Sequence, residues 1–337
     1  MKKILSFIIV LCFLISCKVN NHITEKIEVT GKTAMEFAAT ISPENLKDHL
    51  YIIASDEFEG RNTGEVGQKK AAEYLKDFYI SNNIASPLGN DNYFQDIPTE
   101  YLRPNLKPSE NVVAFIEGSE KPEEIIVISA HFDHVGMKDG EIYNGADDDG
   151  SGTVAILEIA QAFQKAVENG HKPKRSILFL HVTGEEKGLL GSKFYTNFPI
   201  FPLANTVANL NMDMIGRVDD AHEANPNYIY LIGSDKLSSE LHELSEAMNE
   251  KFTKIKLDYK YNDENDPNRF YYRSDHYNFA KNNIPIIFYF NGTHQDYHKP
   301  SDTPDKINYQ LLAKRAQLVF YTAWEIANRE QRIIVDK

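Results

Sequence analysis

In five places along this 337-residue chain, an apolar run or helix meets a loop rich in groups that hold cations or move protons. Ile125–Ser129 leads into Ala130-His131-Phe132-Asp133-His134, and Ile177–His181 leads into Thr183-Gly184-Glu185-Glu186. Val207–Met212 leads into Asp213, and Ile284–Phe290 leads into a loop carrying His294, Tyr297 and His298. An acidic loop, Asn144 to Gly152, places Asp147-Asp148-Asp149 just before a helical pattern. A single histidine after a strand is ordinarily structural, and an aspartate triplet is ordinarily a solvated turn. Their joint appearance at successive element ends changes the reading. Carboxylates and imidazoles with no cysteine suit Zn²⁺, with Mn²⁺ or Co²⁺ as substitutes. Without a cation, so many converging carboxylates would repel one another.

Competing motifs fail on inspection. Gly150-Ser151-Gly152-Thr153-Val154-Ala155 has the spacing of a dinucleotide fingerprint and opens a helix. Three aspartates directly before it would repel a pyrophosphate, however, and no strand leads into it. A calcium loop needs acidic residues at alternate positions, which the triplet does not offer. No G-x-S-x-G elbow, H-E-x-x-H helix or phosphate loop is present.

The elements that must position these groups follow from periodicity. Short apolar runs rich in β-branched residues read as strands at Val112–Ile116, Ile125–Ser129, Ile177–His181, Val207–Met212, Tyr228–Ile232 and Ile284–Phe290. Longer amphipathic patterns read as helices at Val66–Tyr79, Gly152–Val167, Leu237–Phe252 and Tyr309–Ala327. Ser42-Pro43-Glu44 is a helix start, with Leu46, Leu50 and Ile53 on one face. Alternation of strands and helices predicts an α/β class fold: an α/β/α sandwich around a mixed, mostly parallel sheet. In such sheets ligands gather at the carboxyl ends of the strands, where the listed side chains fall. With no internal repeat or low-complexity linker, residues 42–337 read as one domain.

Composition narrows the partners. Apolar residues make up 42% and charged residues 25%, a mixture suited to a folded core and not to disorder. Forty-nine acidic against 36 basic residues leave a net charge of −13, and no basic face stands out. That argues against nucleic acid as a partner. Residues 1–16 have the lysines and short apolar stretch of a signal peptide, and Leu14-Ile15-Ser16-Cys17 resembles a bacterial lipobox. The expectation is export and lipidation of Cys17, with residues 17–41 as lipidated cysteine and tether. The membrane contact would be a lipid anchor, at the outer membrane on its periplasmic or surface face. Because Cys12 leaves with the signal, no disulfide can form.

The segments AHFDHVG, NGADDDGSGT, TGEEKGLLGS, NMDMIG, RSDHYNFA and YHKPSDT, in this order, resemble the di-zinc aminopeptidases of metallopeptidase family 28, in clan MH. The similarity covers roughly residues 42–330, including the early ASDEFEGRNTGE segment. It implies a zinc exopeptidase-like fold, a monomer, and two Zn²⁺ per chain acting on peptides with a free N-terminus. His131 and Asp213 would hold one zinc, Glu186 and His298 the other, and Asp148 would bridge them. Asp133 would hydrogen-bond the far nitrogen of His131, and Glu185 would be the general base. Tyr297 or Tyr271 would donate to the oxyanion. Arg273 would help arrange the pocket for the substrate amine. The resemblance also implies a cis peptide between Asp148 and Asp149. His134 has no ligand role in the family pattern and reads as structural, while His294 is a competitor to His298. The stretch from Tyr93 to Asn111 is too short for the protease-associated insert of many relatives.

Three other readings stay open. A glutaminyl cyclase shares this fold but uses one zinc, against which stand Asp148 and the paired Glu185-Glu186. A carboxypeptidase or dipeptidase needs a basic group for the substrate carboxylate, and Arg273 is the obvious candidate. A non-catalytic, lipid-anchored interaction domain would have lost ligands, and none is missing here. Phe270, Tyr271, Tyr272, Phe288 and Phe290 suggest either core or an aromatic pocket for an apolar side chain.

Overall fold

The structure is a computed structural model that describes residues 31–337. The expected signal peptide and Cys17 lie outside the described residues. Residues 31–38 (α1) are already helical, so the fold begins before the expected Ser42 boundary. Ala34, Phe37, Ala38 and Ile41 explain this: at spacings of three and four they form a stripe that joins the core. Ser42 then caps α2 (Pro43–Ile53), its hydroxyl accepting the Asn45 N–H at 3.1 Å.

The chain continues through α3 (Val66–Ser81), β1 (Phe94–Ile97), β2 (Ser109–Ile116), β3 (Lys121–His131) and a small hairpin, β4 (Gly136–Lys138) and β5 (Glu141–Tyr143). Next come α4 (Gly152–Glu168), β6 (Arg175–Val182), α5 (Leu190–Asn197), β7 (Thr206–Met212), β8 (Tyr228–Ile232) and α6 (Ser239–Met248). The last elements are β9 (Lys256–Asp258), α7 (His276–Ala280), β10 (Ile286–Phe290) and α8 (Tyr309–Asn328). All six expected strands form. The expected helix Leu237–Phe252 is shorter as α6 and ends in a π turn over Asn249–Thr253.

Among the described residues the main sheet has eight strands in the order β1-β2-β6-β3-β7-β10-β8-β9. Its centre, β6-β3-β7-β10, is parallel throughout. Antiparallel pairs β1/β2, β2/β6 and β8/β10 flank that centre, so the sheet is mixed. On one face α1, α2, α3, α4, α6 and α8 bury the largest apolar cluster. On the other, Tyr195 of α5 and Phe279 of α7 pack on Val127, Leu178 and Ile286. This is the expected α/β/α sandwich. Its consequence is directional: four parallel strands open their carboxyl ends on one edge. No helix among the described residues is long and apolar enough to cross a membrane.

Candidate metal centre

At that edge the strand ends bring polar groups together into one small volume. His131 closes β3, Asp213 follows β7, Glu185 and Glu186 follow β6, and His298 lies in the loop after β10. His131 Nε2 lies 3.2 Å from Asp148 Oδ1 and 3.6 Å from Asp213 Oδ1. His298 Nε2 lies 2.9 Å from Asp148 Oδ2 and 3.1 Å from Glu186 Oε1. Asp148 thus turns one oxygen to each group. Separations of this size are the edges of a tetrahedron around an ion ~2.0–2.2 Å from each donor, which suits zinc.

A second observation supports a cation here. Glu186 Oε1 and both ring nitrogens of His134 are buried and lack a hydrogen-bond partner among the described residues. His134 Nδ1 nevertheless lies 3.0 Å from Glu186 Oε1 and 3.9 Å from Asp148 Oδ2. Glu186 Oε1 and His134 Nδ1, both orphaned and 3.0 Å apart, are atoms an ion between them would satisfy. Two donor sets emerge, His131-Asp148-Asp213 and His134-Asp148-Glu186. His134, expected to be structural, therefore belongs to the second set. Its signal was present in the sequence: it shares the AHFDH run with His131.

The three adjacent aspartates have three different tasks. Asp147 Oδ1 accepts the Gly216 N–H at 2.6 Å, and its Oδ2 meets Asn291 Nδ2 at 3.0 Å and His294 Nε2 at 3.1 Å. His294 is thereby engaged away from the ligand sets. Asp149 accepts the backbone N–H groups of His131, Gly152 and Met214 at 3.2, 2.9 and 3.0 Å. Only Asp148 points at the donors, and Asp302 Oδ2 holds its backbone N–H at 3.2 Å. The Asp148–Asp149 peptide is cis, as expected.

Below the ligands runs a layer of fully buried support. Ser274 Oγ donates to Asp213 Oδ2 at 2.6 Å and receives Asn211 Nδ2 at 3.0 Å. Asn211 Oδ1 accepts from Ser129 Oγ at 2.7 Å, and Ser129 accepts from Asn209 at 2.8 Å. Asp133 departs from expectation. The far nitrogen of His131, Nδ1, bonds the Asp133 backbone oxygen at 2.9 Å, while the carboxylate stays 3.8 Å away. That carboxylate is already committed: it accepts Thr63 Oγ1 at 2.7 Å and the Glu185 N–H at 3.1 Å. Arg61, missed in the sequence, is fully buried and donates to the carbonyls of Ile53, Phe132, Asn144 and Gly145 at 2.7–2.9 Å. It ties the His131 loop to the aspartate loop. A single arginine amid the acidic DEFEGRNTGE segment was its only signal.

Electrostatics follow the same division. Burial would raise Asp148, but the His131 and His298 imidazoles outweigh it and hold the carboxyl well below its usual range. Burial and Asp148 raise Glu186, and His134 and His298 bring it down to about 2. Burial opposes charge on His298, yet Asp148 and Glu186 push it up to about 10. Protons on the imidazoles thus neutralise these carboxylates where a cation otherwise would. Glu185 is different: burial, helped by the Asp213, Asp275 and Glu186 carboxylates, holds it well above the carboxylate range against His131.

Asp148, Glu185, Asp213, Arg273, Tyr297 and His298 line one pocket, whose far wall is Phe270, Phe288, Phe290 and Met214. Tyr297 stacks on His298 with centroids 4.0 Å apart. Tyr271, the other oxyanion candidate, does not line this pocket; it and Tyr272 face a neighbouring 850 Å³ cavity with Asp235 and Arg269. The cause is the 3₁₀ turn at Phe270–Tyr272: Phe270 and Arg273, three residues apart, share the side of the metal pocket, and the two tyrosines between them face away. Of the five aromatics in question, Phe270, Phe288 and Phe290 are both core and pocket wall.

Comparison with known proteins identifies the family. The profile of Peptidase family M28 matches residues 111–323, more than half of the chain. Leupeptin-inactivating enzyme 1 of Streptomyces exfoliatus is 26% identical over 306 residues, covering 84% of this chain and 61% of its own. A probable leucine aminopeptidase of Trichophyton verrucosum is 31% identical over 238 residues, covering 68% of this chain and 59% of its own. The chain thus spans about three-fifths of the length of these curated relatives. The zinc aminopeptidase BSAP of Bacillus subtilis superposes with a TM-score of 0.66 at 17% identity, over 86% of this chain and 96% of that one. That likeness shows the fold.

Proposed function

The chain belongs to peptidase family M28, and on that premise we propose that it is a di-zinc aminopeptidase removing N-terminal residues from peptides. The observation that carries this reading is the position of Glu185. It lines the same pocket as Asp148, Asp213 and His298, yet belongs to neither donor set. A carboxylate beside the ligands and free of them is placed to move protons.

His131, Asp148 and Asp213 would hold one zinc, and Asp148, Glu186 and His298 the other. When bound, zinc supplies Lewis acidity, polarising the scissile carbonyl and bringing the pKa of water to near 7. Glu185 takes the proton of the attacking water and hands it to the leaving amine. Burial favours this by making the Glu185 carboxylate a stronger base than an exposed one. Tyr297, at the pocket wall, donates its hydroxyl to the oxygen that gains charge. The Glu185 carboxylate, outside both donor sets, is an anionic partner for a cationic N-terminus.

Aminoacyl and N-blocked chromogenic substrates test the proposal. Release from the free-amine substrates alone, abolished by chelation and restored by zinc, supports it. Cleavage of N-blocked substrates only, or no bound metal after zinc loading, would reject it. We further propose export and lipid anchoring through Cys17. The check is detergent-phase partitioning of the expressed protein, lost in Cys17→Ser; equal partitioning of both removes the anchor.

A further inference from the structure

Arg273 stands on the wall of the metal pocket, opposite in charge to nearly everything around it. The turn at Phe270–Tyr272 delivers it there. Its guanidinium lies 4.8 Å over the Phe270 ring, and its Nη2 donates to Tyr297 Oη at 3.4 Å. Among the described residues no carboxylate pairs with it. Arg61, Arg217 and Arg315 behave differently. Arg61 and Arg315 are surrounded by backbone carbonyls, and Arg217 pairs with Asp296 at 2.9 Å. Arg273 is held in place by a ring face and a hydroxyl, with its donor fork left toward the pocket that Glu185 and Asp213 also line.

The balance of charge strengthens the point. Asp148, Glu186, Asp213 and Glu185 carry four negative charges, which two divalent cations would cancel. The guanidinium then remains as the surplus charge at the mouth. A guanidinium repels an ammonium, so the substrate's N-terminus is not its ligand. Its planar fork matches a carboxylate. We infer that Arg273 forms a carboxylate-binding subsite beside the metal pocket and selects peptides carrying that group close to the scissile bond. The group is either the C-terminal carboxylate of a dipeptide or an acidic side chain on the residue after the cleaved bond. This inference rests on the aminopeptidase reading of the same pocket.

The test uses the zinc-loaded protein and two matched pairs. Leucylglycine is compared with leucylglycinamide, and an amidated leucyl dipeptide with aspartate second is compared with its asparagine counterpart. Wild type favours the acid of one pair by about tenfold in kcat/KM, mainly through KM, as a partly exposed charge-assisted contact would give. The pair that responds identifies the source of the carboxylate. Arg273→Gln brings that ratio to near one, and Arg273→Lys restores part of it, which a merely structural role would not do. Calorimetric titration of the same peptides into Glu185→Gln protein reads the preference without turnover. A ratio near one in both pairs, or a ratio that survives in Arg273→Gln, overturns the subsite. Loss of all hydrolysis with the binding preference intact would overturn the aminopeptidase reading and leave the subsite standing.

Discussion

Asp133 supports Glu185 through the main chain: its Oδ1 accepts the Glu185 backbone N–H at 3.1 Å, and its Oδ2 accepts Thr63 Oγ1 at 2.7 Å. The carboxylate therefore fixes the turn that aims Glu185 into the pocket, while the ring of His131 is oriented by a backbone oxygen. A side chain cannot replace that oxygen, and no substitution at 133 removes it.

Asp133→Ala should accordingly spare the metal and impair the reaction. Both zinc ions remain after dialysis, because His131 keeps its orienting bond. Turnover falls by about tenfold, the size usual for loss of an outer support. Metal analysis beside kcat decides the matter. Loss of one zinc equivalent would mean that the carboxylate acts on His131 after all.

Glu185 and Glu186 are chemically identical neighbours whose roles differ only by direction. Glu185→Gln keeps size and polarity but accepts no proton, so it should hold both zinc ions and lose ~10²-fold or more in kcat. Glu186→Gln removes a charged donor 3.1 Å from His298 Nε2. One zinc should then be lost on dialysis, and added zinc should recover part of the rate. The reverse pattern of metal content would exchange the two assignments.

That pair also shows what a linear sequence can carry. The ligand types, their order and the strand ends beneath them were legible, because the β-branched run at Ile125–Ser129 and the apolar-polar alternation at Val207–Met212 have no helical period. The tasks of Asp147, Asp148 and Asp149 were not legible from the residues themselves, since three identical side chains in a row differ only in where the backbone points them. The tasks of His134 and Arg61 were not legible for a related reason: their partners lie in loops far along the chain, at Glu186 and at Asn144-Gly145. The short elements β1, β9, the β4-β5 hairpin and α5 carry too few residues to show a period. Residues 31–38 were set aside because the apolar stripe there sits among polar neighbours.

Arg61 gives a stability prediction. Its guanidinium is wholly buried, and burial lowers its pKa to about 10 even with Asp133, Asp302, Asp148 and Asp149 opposing. Arg61→Met would leave four carbonyls without their donor and the nearby carboxylates without a counter-charge. The expected cost is about 3–5 kcal/mol, as for breaking a buried charge network. Urea unfolding of wild type and variant measures it. A difference below ~1 kcal/mol would show that the two loops hold together without the arginine.

Acid sensitivity of the fold should come in part from His181. Burial lowers its pKa to about 3, while Tyr79 donates its hydroxyl to Nε2 at 2.6 Å and keeps the ring neutral. In the unfolded chain the same group titrates near 6.5. Between those two values the unfolded state binds a proton that the folded state refuses. Stability is therefore highest above pH 6.5 and declines as pH falls, by about 1.4 kcal/mol per unit for this one group. His181→Gln retains an acceptor for Tyr79 but has nothing to protonate. At pH 7.5 the variant should be the less stable, by about 1 kcal/mol for an imperfectly replaced buried hydrogen bond. As the pH is lowered to 5 the gap should close and then reverse, because only wild type keeps losing stability through this position. Unfolding midpoints of the zinc-free proteins across that range provide the check. A gap that stays constant from pH 7.5 to 5 would mean that His181 is protonated in the fold, with Tyr79 as its acceptor.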